Sequence, residues 1–195
     1  MNRVMQVMMH RAEEKGLNFS NSYCDTGLSP VLLGDPYRLN QVMLNLVSNA
    51  IKFTQKGSVD ITCKLLNDEA EKQIVQITVT DTGIGMDEAF AKNLFEKFSQ
   101  EDNSIIRKYG GTGLGMSICK ELVSLMNGKI EVVSQKGVGT SISVIIEFEK
   151  GTIADIPFQE MVATDTSLLK GKKILVTDDN EMNQLVASTI LQNFG

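Results

Sequence analysis

Asn45, Asn49 and Lys52 recur at spacings of four and three, with Gln41 one turn ahead of them. On a helix that spacing puts them on one face. Two neutral amide oxygens and an ammonium in a row suit a magnesium–triphosphate: oxygen ligands for a hard cation, a positive charge for phosphate. The same residues also make an ordinary solvated helix face. A second segment, Asp81–Met86 (DTGIGM), follows a β-run. A carboxylate at a strand end can accept a hydrogen bond from an exocyclic amino group such as adenine offers. Gly83 and Gly85 allow a tight turn and close approach of a flat base; a plain Asp-Gly turn is the alternative. The third segment, Gly110–Met116 (GGTGLGM), leads into a helical pattern. Free N–H groups at a glycine-rich helix start cradle phosphate. No Gly-Lys-Ser/Thr follows, so it is not a Walker loop. Gly111, Gly113 and Gly115 run GxGxG, not the GxGxxG of dinucleotide sites. Arg107-Lys108 just before it make the polar stretch a candidate phosphate lid. Gly137–Thr140 (GVGT) is either a fourth contact or a β-turn. In this order the segments read as an ATP site built without a Walker loop.

The elements that must position these residues follow from periodicity. Residues 2–15 read as a helix stopped at Gly16, with Val4, Val7, Met8 and Ala12 among its apolar positions. Leu17–Tyr23 alternates as a half-buried strand. Asp35-Pro36 opens a helix, Asp as N-cap and Pro at the first helical position, running to Phe53. Its apolar stripe is Leu39, Val42, Met43, Leu46, Val47, Ala50 and Ile51. Two β-runs follow, Ser58–Leu66 and Gln73–Thr80, joined by the polar loop Asn67–Lys72. A short helical piece comes after DTGIGM, then the aperiodic stretch Ser99–Tyr109, a candidate mobile loop. Gly113–Asn127 is predicted helical with Leu114, Ile118, Leu122 and Leu125 on one face. Lys129–Ser134 and Thr140–Glu149 read as strands. Residues 151–170 read as a linker, and Lys172–Val176 with Glu181–Phe194 as one βα unit.

Composition places further bounds on function. The chain has 195 residues, 42% hydrophobic and 22% charged, with a formal net charge of −5. Phosphate-backbone binding needs clustered Lys and Arg, and no such block exists, which argues against a nucleic-acid partner. Cys24, Cys63 and Cys119 are an odd number without paired spacing. They read as reduced, buried small hydrophobes in a cytosolic compartment. No apolar run reaches transmembrane length and the N-terminus has no signal-peptide pattern. The expectation is a soluble, cytoplasmic segment with no direct membrane contact.

NLVSNAIKFT resembles the N box, DTGIGM the first glycine box, FEKFSQ (Phe95–Gln100) the F box, GGTGLGMSI the second glycine box and GVGT the third. In this order they resemble the catalytic ATP-binding domain of sensor histidine kinases, within the GHKL ATPases. The resemblance covers residues 1–150. It implies an α+β, two-layer α/β sandwich (the Bergerat fold): a mixed sheet covered by helices on one face, with a flexible ATP lid. Carried over by position, Asn49 binds Mg²⁺, Asn45 lies near metal and phosphates, Lys52 contacts phosphate, and Asp81 binds the adenine amino group. Phe53 packs near the base, and Arg107 or Lys108 reaches the γ-phosphate from a lid at 100–112. The implied ATP contacts also include Gly83, Gly85, Met86, Phe98, Gly111, Thr112, Gly113, Leu114, Gly115 and Thr140.

Related ATPases of gyrase and chaperone type carry a water-activating glutamate four residues before the metal-binding asparagine. An amide has no useful basicity, so Asn45 cannot serve as that base. The resemblance therefore implies phosphoryl transfer from Mg-ATP to a histidine on a separate dimerisation domain. His10, the single histidine, lacks the following acidic residue of the phosphorylation box and reads as a surface-helix residue. The fragment by itself is expected to bind nucleotide without phosphorylating itself. KKILVTDDNEMNQLVASTIL resembles the first strand and helix of a receiver domain, with Asp178 and Asp179 as its acidic pair. That layout implies a hybrid kinase: catalytic domain 1–150, linker 151–170, truncated receiver 171–195. An autonomous GHKL ATPase, an anti-sigma-type serine kinase and a non-catalytic ATP-binding scaffold are the competing readings.

Overall fold

The computed structural model describes residues 2–96 and 114–156, with isolated positions between 173 and 191. The chain divides into two compact units, Met1–Ile156 and Pro157–Gly195. The first runs α1 (Asn2–Glu14), β1 (Asn18–Cys24), β2 (Leu32–Leu33), α2 (Pro36–Phe53), β3 (Ser58–Asp68), β4 (Lys72–Asp81) and α3 (Glu88–Asn93). After the glycine-rich segment come α4 (Gly115–Leu125), β5 (Lys129–Gln135) and β6 (Gly139–Lys150), then a 3-10 turn at Ile153–Asp155. Phe98, Arg107, Lys108, Gly111, Thr112 and Gly113, and the acidic pair Asp178 and Asp179, lie outside the described residues.

One six-stranded sheet carries the unit, in the order β1-β3-β4-β6-β2, with β5 also on β6. β1 runs parallel to β3 and every other pairing is antiparallel, which makes the sheet mixed. The hairpins β3–β4 and β5–β6 form where alternating apolar residues face one side. Val59, Ile61 and Cys63, then Val75, Ile77 and Val79, then Ile142, Val144, Ile146 and Phe148 are buried. The opposite face carries Thr78, Thr80, Ser141 and Ser143, whose hydroxyls pair across the strands at 2.9 and 2.7 Å. Helices therefore cover one face only, as expected.

α2 is the central helix of that layer. Asp35 caps it, its Oδ1 accepting from the N–H groups of Tyr37 and Arg38 at 3.0 Å each. Val42, Met43, Leu46, Val47, Ala50 and Ile51 are buried, six of the seven predicted stripe positions. Full burial of each large side chain contributes roughly 1.5–3 kcal/mol. At the other end the Lys15 ammonium reaches the Ile51 and Lys52 carbonyls at 2.7 and 3.0 Å. A cation on a helix C-terminus meets both the orphan carbonyls and the negative dipole end.

Three expectations need correction. On α4, Ile118 and Leu125 are 41% and 63% exposed, so the apolar face read from the sequence is covered only in part. The helix buries Ser117, Cys119 and Val123, with Met116, Leu122 and Met126 packed against the core. Apolar residues occur on both sides of this helix, and its neighbours decide which side is covered. Cys24 is exposed, while Cys63 and Cys119 are buried and all three thiols are free. Cys24 ends an edge strand, where little packs over it. In the second unit Lys173, Leu175, Val176 and Thr177 are outside any strand, whereas Gln184, Ala187, Ser188, Thr189 and Leu191 are helical. A β-run gains its ladder hydrogen bonds only from a partner strand. His10 is a surface residue as expected, its Nε2 lying 3.3 Å from Glu14 one turn on.

Candidate functional site

Three segments meet where the C-terminal half of α2 passes the ends of β4 and β6. Asn45, Asn49, Lys52 and Phe53 are half-buried on α2, as is Asp81 at the end of β4. Gly83 marks the crossing. A Cβ there would lie 2.7 Å from the Phe53 carbonyl oxygen and 2.8 Å from Asp81 Oδ1. Only glycine lets the loop pass so close to both the helix end and the carboxylate.

Asp81 sits in register with Val59 on one side and Thr140 on the other. Its Oδ1 accepts from the Gly83 N–H at 2.8 Å. Burial raises its pKa above the ordinary value, while the backbone N–H groups of Gly83 and Thr140 oppose that rise by favouring the charged form. A carboxylate so held is a directed acceptor, oriented by the loop before any ligand arrives. Gly85 has φ +63, and a Cβ there would collide with the Gln135 carbonyl. The Gly137 N–H donates to the Ile84 carbonyl at 2.7 Å, and the Met86 N–H to Ser134 Oγ at 2.9 Å. Ser134 Oγ also lies 2.9 Å from Thr140 Oγ1. The DTGIGM loop is thus tied to the β5–β6 turn, and Thr140 and Met86 join Asp81 in one cluster.

On α2 the two asparagines turn toward α4. Asn45 Nδ2 donates to the Gly115 carbonyl at 2.6 Å and lies 3.1 Å from Cys119 Sγ. Asn49 Nδ2 lies 3.4 Å from Met116 Sδ. A Cβ on Gly115 would come within 2.8 Å of both polar atoms of the Asn45 amide. Asn45 therefore anchors the end of the glycine-rich segment, Leu114–Gly115, to the asparagine face. The Lys52 ammonium is 5.0 Å from the Phe53 ring centroid.

The structure brings Asn45, Asn49, Lys52, Phe53, Leu114 and Gly115 together along α2, and Asp81, Gly83, Gly85, Met86 and Thr140 together at the strand ends. Several residues that build the site were not singled out by sequence. Ser134 looks like one more position of an alternating strand, and only its register with Thr140 reveals it. Cys119 and Met116 look like core residues. Lys15 precedes Gly16 and reads as a helix-end cation with no indicated target. Among the described residues no group of three His, Cys, Asp or Glu stands close enough to hold a metal. No helix among them is long and apolar enough to cross a membrane.

Comparison with known proteins now bears on this geometry. Residues 34–150 match the family described as histidine kinase-, DNA gyrase B-, and HSP90-like ATPase. Hybrid signal transduction histidine kinase L of Dictyostelium discoideum is 44% identical over 150 residues, covering 76% of this chain and 9% of that protein. The autoinducer 2 sensor kinase/phosphatase LuxQ of Vibrio vulnificus (strain YJ016) is 34% identical over 195 residues, covering all of this chain and 23% of that protein. The chain thus spans only a small part of either relative. Among solved structures, full-length ShkA in complex with AMPPNP superposes with a TM-score of 0.65 at 26% identity, covering 100% of this chain and 37% of that one. The nucleotide-free catalytic domain of histidine kinase ThkA gives a TM-score of 0.58 at 25% identity, covering 76% of this chain and 89% of that one. On this sheet, this helix layer and this family match, the chain belongs to the histidine kinase-, DNA gyrase B- and HSP90-like ATPases.

Proposed function

We propose that this chain binds Mg-ATP at the α2–β4–β6 junction and donates the γ-phosphoryl group to a histidine on a separate dimerisation domain. Asp81, preset by the Gly83 N–H, accepts from the adenine amino group while Phe53 and Met86 flank the base. Asn49 supplies an amide oxygen to magnesium, with Asn45 beside it and Lys52 next to the phosphates. The donor set suits a cation that arrives with its nucleotide. Described carboxylates form no cage, so phosphate oxygens and water would complete the shell of this hard ion. When bound, magnesium neutralises charge on the transferring phosphoryl group. Arg107 or Lys108, ahead of the glycine-rich segment, is assigned the cation for the γ-phosphate, and Phe98, Gly111, Thr112 and Gly113 are assigned as further nucleotide contacts.

Asn45 carries the reading. Its amide donates to the Gly115 carbonyl and offers no basic group to activate water. With no base at that position, the site holds ATP for in-line attack by an incoming nucleophile, through position and charge. The imidazole acceptor is assigned to another domain, since His10 is followed by Arg11 and lacks the acidic neighbour of the phosphorylation box. The relatives named above are hybrid and sensor kinases, which supports a parent protein carrying a dimerisation hairpin and a receiver. Residues 171–195, with Asp178 and Asp179, are assigned to the start of that receiver, and 151–170 to a linker. We place this segment on the cytoplasmic side of any membrane that the parent protein spans, with no nucleic-acid partner.

The test is to mix the chain with Mg-ATP and a cognate histidine-containing helical hairpin and assay acid-labile phosphate. Label should reach the hairpin and not the chain, and Asn49→Ala should abolish it. An unchanged signal would remove Asn49 from the metal site. Rapid ATP hydrolysis without any hairpin would overturn the transfer reading.

A further inference from the structure

The sequence presents three cysteines without paired spacing, yet the sheet pairs two of them. β1 is an edge strand running parallel to β3. Asn18 through Asn21 match Ser58 through Ile61 one for one, which would set Tyr23 beside Cys63 and Cys24 beside Lys64. The register instead shifts between Asn21 and Tyr23, so Cys24 stands beside Cys63. The shift is held in place: the Ser22 N–H donates to Asp60 Oδ1 at 3.0 Å, and the Ser22 hydroxyl donates to Asp60 Oδ2. Matched residues on neighbouring strands point to the same face, and neighbouring strands lie about 4.7–4.9 Å apart. A disulfide needs Cα atoms roughly 4.4–6.8 Å apart, a range that includes the spacing of neighbouring strands.

The two sulfurs differ in access. Cys63 is 5% exposed and Cys24 is exposed. Burial pushes the Cys63 thiol up to about 11, and the neighbouring Cys24 side chain, hydrogen-bonded to it, adds to the rise. The pair thus couples an accessible sulfur to a sheltered one, the arrangement of an attacking and a resolving thiol. Cys119 is separate, buried on α4 against Asn45.

We propose that Cys24 and Cys63 form an oxidant-sensitive dithiol site, which a small disulfide converts to an intrachain bond stapling β1 to β3. The Cys24 thiolate attacks one sulfur of the small disulfide and releases one small thiol, leaving a mixed disulfide. Cys63 then gives up its proton and attacks the Cys24 sulfur, displacing the second small thiol. The pair is oxidised by two electrons and the small disulfide is reduced to two thiols. In a reducing compartment the pair stays as thiols, so the bond reports a shift toward oxidation. The loop it closes, residues 24–63, contains all of α2 and restricts the unfolded chain. Asp81 lies beside Val59, four residues along β3 from Cys63, so the sulfurs sit away from the candidate nucleotide site. The site stands or falls independently of the kinase reading.

The test uses the full chain incubated with oxidised glutathione, denatured, alkylated and mapped by mass spectrometry. One alkylable thiol, Cys119, should remain of three, with Cys24 and Cys63 in a single linked peptide and dithiothreitol restoring all three. Oxidation should raise the melting temperature of the wild type and not of Cys24→Ser. In Cys63→Ala, Cys24 should instead keep its glutathione adduct. A wild-type chain that retains three free thiols, or a lasting glutathione adduct on Cys24, would overturn the site.

Discussion

Asp81 shows what a single residue gives up for the binding role proposed for it. Burial lifts its pKa, so the folded chain holds that proton more tightly than the unfolded chain does. The sign follows from linkage: stability falls as pH rises from the ordinary carboxylate range through the raised value, then levels off. At neutral pH the charged side chain is therefore a cost that the Gly83 and Thr140 N–H groups only partly offset. Asp81→Asn should remove that cost, leaving the melting temperature at pH 7 the same or slightly higher. ATP affinity should nevertheless fall by about tenfold or more, at least ~1.4 kcal/mol. Isothermal titration with Mg-ATP and scanning calorimetry on one preparation measure both effects, and undiminished affinity would remove Asp81 from base recognition. Residue type and spacing made Asp81, Asn45 and Asn49 legible, because helix and strand periods fix which side chains share a face. Their partners were not legible. Nothing in the sequence tells Asn45 that its amide will meet the Gly115 carbonyl 70 positions away.

At the level of elements, α2 carries the site and its ends are secured differently. The N-terminal end is local: Asp35 and Pro36 announce it, and Asp35 caps two N–H groups. Asp35→Ala should cost about 1 kcal/mol. For a unit of this size that is a fall of about 2–4 °C in melting temperature, read by circular dichroism. No change would mean that water replaces the cap without loss. The C-terminal end is not local, since Lys15 closes it from the end of α1. Helix and strand bounds followed the sequence closely wherever caps or alternation marked them, as at Phe53 and Gly16. α4 failed for an identifiable reason. Its apolar residues leave two faces open to choice, and packing on α2 and β5 buries Cys119 and Val123 in place of Ile118 and Leu125.

At the scale of the molecule, the buried core residues among those described lie between Val4 and Phe148, inside the first unit. A chain ended after residue 156 retains every described core side chain and should keep its melting temperature within about 2 °C. It should also keep its nucleotide affinity. A larger fall in a thermal melt would assign residues 157–195 a stabilising role. The sequence by itself determined most element types of the first unit and the lack of a base at position 45. These depend on local period, capping and residue chemistry, whereas the α+β class followed from the resemblance that the ordered boxes carry. Only the tertiary structure decided which residues meet across the chain: Asn45 with Gly115, Met86 with Ser134, Lys15 with the end of α2, Cys24 with Cys63. Such meetings depend on sheet order and on a one-residue register shift, and a shift of one residue turns a side chain to the other face. Composition and spacing hold no record of that choice, because it is made by the packing of distant segments on one another.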